Sequence, residues 1–236
     1  MRQSKLAILA AVFSLACCAN FHHEMLPRIR EDLSQMKSIT AMPWSIDEHY
    51  ELIGRPESKM VAWNGIAANL KIAVTHSRPA DIDDAIIDNL INQACDPLGW
   101  ENPDIHTAIG HIGARAVARY VNVIEETPPG GNRTEYFSRG LPEVLMNTAQ
   151  SDIDQKLIDK IALGLDHPDR ATRLNFAGAL GVIGPAAASA LPKLKQMFER
   201  QLKEDNEYGL ITGIWPHDFL RWQIESISQS PYRPEG

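Results

Sequence analysis

The stretch that most constrains this chain runs from Leu165 to Leu202. Asp166 and Asp169 stand before a helix-length segment as candidate N-caps, because a short carboxylate can accept from the unpaired first N–H groups. The run Ala179-Leu180-Gly181-Val182-Ile183-Gly184-Pro185 ends that segment, and Ala187, Ala190, Leu191, Leu194 and Phe198 then recur at helical spacing. Pro185 suits the first turn of a second helix, where a missing N–H costs nothing. Gly181 and Gly184 put small residues where the two helices meet, so their backbones can approach closely. The pattern is helix, sharp break, helix.

The rest of the chain follows the same rhythm. Ile82, Ile86, Ile87, Leu90, Ile91 and Ala94 keep a 3.6-residue period behind Asp81, Asp83 and Asp84, whose charges favour a helix start. Ile153, Leu157, Ile158, Ile161, Ala162 and Leu165 do the same. No period-two segment of useful length competes, so the expected class is all-α. Ile109-Gly110-His111-Ile112-Gly113-Ala114 echoes the Gly181–Gly184 run, and Gly110 and Gly181 lie 71 positions apart. That is about twice the period of a short two-helix repeat. Helix pairs are expected over 59–74 with 81–94 and over 141–149 with 153–165, and Pro216 to Ser228 supplies a closing helix.

Leu165 to Leu202, with Arg173 inside it, resembles one repeat of the HEAT family; Ile105 to Ile124 resembles it less closely, with Asn102 in the arginine position and Pro103 interrupting where the first helix should begin. The resemblance implies an α-solenoid of roughly four HEAT-like helical pairs plus a C-terminal capping helix. It also implies that Arg173 braces neighbouring repeats through polar contacts, with Gly110, Gly113, Gly181, Gly184 and Pro185 as structural repeat positions. Short repeats of this glycine- and proline-punctuated kind occur in phycobilisome lyases too, so a lyase-like enzyme is the alternative the resemblance allows.

The N-terminus reads as an export signal. Arg2 and Lys5 precede an apolar stretch from Leu6 to Ala16 broken only by Ser14. That is shorter than the roughly 20 residues a bilayer core requires. Phe13-Ser14-Leu15-Ala16-Cys17 resembles a bacterial lipobox, which implies lipidation at Cys17 and a tether to the cell envelope. Cys18 offers a second register, and ordinary cleavage near Ala19 would instead release a soluble periplasmic product. The expected organisation is a signal peptide over 1–19, a tether and cap over 20–56, and a repeat domain over 57–236. Loss of Arg2 and Lys5 takes the net charge from −7 to −9, which argues against nucleic acid as a partner. Cys95 alone lies in the folded part, so no disulfide framework is expected and a buried inert thiol is its reading.

The residues that bear chemistry do not assemble into a catalytic, cofactor or metal motif. His22-His23-Glu24 lacks the second histidine of a zinc-protease helix, Pro27 standing in its place. His106 and His111 are five apart, which puts them on different helix faces. Gly178, Gly181 and Gly184 follow no strand, unlike a phosphate loop. The functional expectation is therefore a non-catalytic, exported, lipid-anchored scaffold that binds a protein or peptide, or a structural envelope-assembly factor. Stacked repeats build extended surfaces that recruit partners. The connection from Thr127 to Phe137 is long for such a stack and ends in Tyr136, Phe137 and Arg139, types enriched in interface hot spots. Those three are the candidate partner-binding residues, with Lys193, Gln196 and Arg200 as polar positions on the last full pair. Trp215 and Trp222 are expected to pack into the core with the last helix.

Overall fold

A computed structural model of the chain describes residues 25–38, 59–96, 99, 102–128, 132–208 and 216–229. Every regular element among these residues is helical. In chain order they are α1 (25–38), α2 (Lys59–Thr75), α3 (Asp84–Ala94), α4 (Pro103–Ile112), α5 (Ala114–Glu126), α6 (Asn132–Arg139), α7 (Leu141–Met146), α8 (Gln155–Leu163), α9 (Arg170–Ile183), α10 (Leu191–Tyr208) and α11 (Pro216–Ser228). Cys17, Cys18, the His22-His23-Glu24 segment and Trp215 lie outside the described residues.

The helices start where the side chains can cap them. Asp83 accepts from the Ile86 N–H at 2.9 Å, Asp154 from Leu157 at 2.8 Å and Asp169 from Thr172 at 2.7 Å, each three residues ahead. Asn102 accepts from both Asp104 and Ile105. Pro103 is thus the first residue of α4 and helps to begin the helix that its position was expected to interrupt. Asp166 is not a cap; it closes a 3-10 turn and pairs with Lys193 at 2.7 Å.

Two rows of helices emerge from the packing. In one row α2, α4, α7, α9 and α11 each lie against the next; in the other α3, α5, α8 and the 3-10 segment Gly184–Ala190 do so. A common apolar core fills the space between them. It takes Ile86, Ile87, Leu90 and Ile91 from α3, Val117, Tyr120, Val121 and Ile124 from α5, and Leu157, Ile158 and Ile161 from α8. Helix α1 adds Ile29, Leu33 and Met36, spaced i, i+4, i+7, to that core, and Arg30 reaches Asp83 at 2.6 Å. Within the helical run Arg170–Glu204 one 18-residue window, with a mean hydropathy of 1.5, is long and apolar enough to cross a membrane by composition alone, but half of that window is buried inside the fold.

The echoed glycines divide their labour differently from the sequence expectation. Gly113 and Gly184 sit at the joints α4–α5 and α9–α10 with φ of 87° and 68°, a conformation essentially open only to glycine at their ψ values. A methyl group on Gly184 would touch nothing within 4 Å, so its role is backbone conformation and not close approach. Gly110 and Gly181 make the close approaches, and they do so along the row. A methyl on Gly110 would overlap the Val144 carbonyl of α7, and one on Gly181 would overlap the Gln223 amide of α11. Pro185 lies in the 3-10 segment Gly184–Ala190, so regular α-helix resumes only at Leu191.

Candidate functional site

Hydrogen bonds between neighbouring helices give the molecule its polar frame. Along the first row, Asn102 Nδ2 donates to Asn64 Oδ1 at 2.8 Å, and His106 Nδ1 lies 3.3 Å from Glu143 Oε2. Along the second, Arg119 pairs with Asp84 at 2.6 Å and with Asp88, Lys160 with Asn122, and Gln155 Nε2 with Ser189 Oγ at 2.6 Å. The acids once grouped at the start of α3 are therefore separately engaged. Asp81 pairs with Arg78, Asp83 caps and meets Arg30, and Asp84 faces Arg115 and Arg119. The Ile86 N–H and then Arg30 hold the Asp83 carboxyl below the usual carboxylate range.

The most unusual polar group in the interior lies where α4, α5, α6 and α7 meet. His106 is only 1% exposed, and its Nε2 has no hydrogen-bond partner. Tyr120 is fully buried beside it, the ring centroids 6.4 Å apart, and donates its hydroxyl to the Phe137 carbonyl of α6 at 2.7 Å. Burial pushes the Tyr120 phenol well above its ordinary value, and the neighbouring Cys95 and Glu143 push it the same way. Gly140 closes this corner. A methyl there would collide with His106 Nε2 and come within 2.6 Å of Tyr120 Oη. Asn175 of α9 donates to the Glu135 carbonyl at 3.3 Å and to Ser138 Oγ at 2.8 Å, fastening α6 from its other side. Sequence reasoning treated His106 only as half of a rejected metal pair. Its neighbours in the fold come from far along the chain, so spacing alone gave no signal.

The three candidate partner-binding residues fall on α6, a helix where a loop was expected. Phe137 is 8% exposed and belongs to the core, Arg139 forms an i, i+4 pair with Glu135 at 2.7 Å, and the Tyr136 side chain lies outside what is described. Lys193 is paired with Asp166, Arg200 donates to the Leu165 carbonyl at 2.9 Å, and Gln196 is exposed. Arg173 is 6% exposed and binds the His167 and Pro168 carbonyls at 3.1 and 3.0 Å while gripping both oxygens of Glu204 at 3.1 Å. Its contacts therefore tie the start of α9 to α10 of the same helix pair. Burial, and then the nearby Arg200, lower its pKa. Cys95 sits against the core, and burial pushes its thiol up to about 12. Trp222 is 52% exposed, because Leu220, Ile224 and Ile227 form the buried stripe of α11 and the tryptophan stands off it. No cluster of three or more His, Cys, Asp or Glu side chains suited to a metal ion occurs among the described residues. No family model, curated protein or solved structure matches this chain.

Proposed function

We propose that this chain is an exported HEAT-like scaffold, lipid-anchored through Cys17, that binds a protein or peptide partner at the cell envelope. In this reading residues 57–236 form an α-solenoid of roughly four helical pairs, closed by α11 at one end and by α1 at the other. The observation that carries the reading is the recurrence of links between helices at a nearly fixed sequence separation. It is 38 for Asn64–Asn102, 37 for His106–Glu143, 35 for Asp84–Arg119, 38 for Asn122–Lys160 and 34 for Gln155–Ser189. Links between successive helices at about the spacing of one helix pair support a reading as stacked repeats. Such stacks bury their core between neighbours and leave long faces for partners.

The test is expression of the full chain, separation of membrane and soluble fractions, and mass measurement of the mature N-terminus, followed by crosslinking in place. A chain beginning at an acylated Cys17 and crosslinked to a defined protein is the expected result. An uncleaved Met1 in the cytosol would overturn the compartment. An acylated chain that crosslinks to no protein would overturn the scaffold.

A further inference from the structure

We draw no further inference here: the strongest candidate, the exposed side of the first row of helices, where Ile72 of α2, Met146 of α7 and Trp222 of α11 stand half or more exposed, is an unpartnered apolar face, and nothing in the structure shows what covers it.

Discussion

Replacing Gly110 by alanine separates close approach from every other reason for a glycine in α4. The residue is helical, so its backbone makes no special demand, and alanine is intrinsically the better helix former by about 1 kcal/mol. Against that gain stands a collision. The new methyl would overlap the Val144 carbonyl oxygen and sit 2.8 Å from Asn147 Cβ, where carbon atoms rest at about 3.5–4.0 Å. Both obstacles lie at the end of α7, one of them backbone, so relief requires α4 and α7 to part by about 1 Å. Overpacking costs about 1–3 kcal/mol, and a backbone obstacle argues for the upper end. Subtracting the propensity gain leaves a net loss of about 2 kcal/mol, or about 4–8 °C in melting temperature at this chain length. Gly65→Ala is the control. Gly65 is also helical, in α2, and nothing lies within 4 Å of its added methyl, so stability should rise by about 1 kcal/mol or about 2–4 °C. Thermal unfolding of both variants followed by circular dichroism gives the answer. Equal shifts, or a Gly110→Ala variant as stable as wild type, would refute the claim that the rows are set by glycine-sized gaps.

Arg173→Ala should cost about 2–4 kcal/mol in a urea titration, because it strands the His167 and Pro168 carbonyls and deprives Glu204 of a two-oxygen grip. Glu204→Gln, which keeps an acceptor for Arg173, should cost about 1 kcal/mol; equal losses would show that Arg173 does not act through its carbonyl contacts. Asp32 is buried on α1, and desolvation raises its pKa above the model-compound value of 3.8. A raised folded-state pKa means stability present below the unfolded pKa and lost as pH rises through the folded one. Asp32→Asn should therefore melt higher than wild type at pH 7, with the gap closing below about pH 4; a gap that widens in acid would contradict the burial argument. The Cys95 thiol, pushed up to about 12 by burial, should resist iodoacetamide at pH 8 in the native chain and react once denaturant is added. Modification of its peptide in the native chain at the unfolded rate would show the thiol to be accessible.

The helical class was legible because burial follows the 3.6-residue period wherever a helix has one inner face. Ile86, Ile87, Leu90, Ile91 and Ala94 were marked by that period and are all buried, as are Leu157, Ile158, Ile161, Leu194 and Phe198. Helix starts were legible only in part. Any of Asp81, Asp83 and Asp84 satisfies the composition rule for a helix start, but only the residue whose amide lies just outside the first turn can cap, and that is Asp83. Trp222 was misplaced for a related reason: on a closing helix only one stripe meets the core, and Leu220, Ile224 and Ile227 already fill it.

The polar corner under α6 was illegible for a deeper reason. The segment from Thr127 to Phe137 carries Pro128, Pro129, Gly130 and Gly131 and shows no apolar period, so local rules correctly give it no independent helix. Its helix is held instead by Tyr120 and Asn175, residues 17 and 37 positions away from their partners Phe137 and Ser138. Donors so far along the chain leave no local signal for a sequence to show. Phe137, drawn to notice there as a contact for a partner, is instead buried in the core. Phe137→Ala should therefore cost about 3–5 kcal/mol in a urea titration, against about 1 kcal/mol for Tyr120→Phe, which removes one hydrogen bond and keeps the ring. The reverse order would mean that the Tyr120 hydrogen bond, and not the burial of Phe137, is what ties α6 to the core.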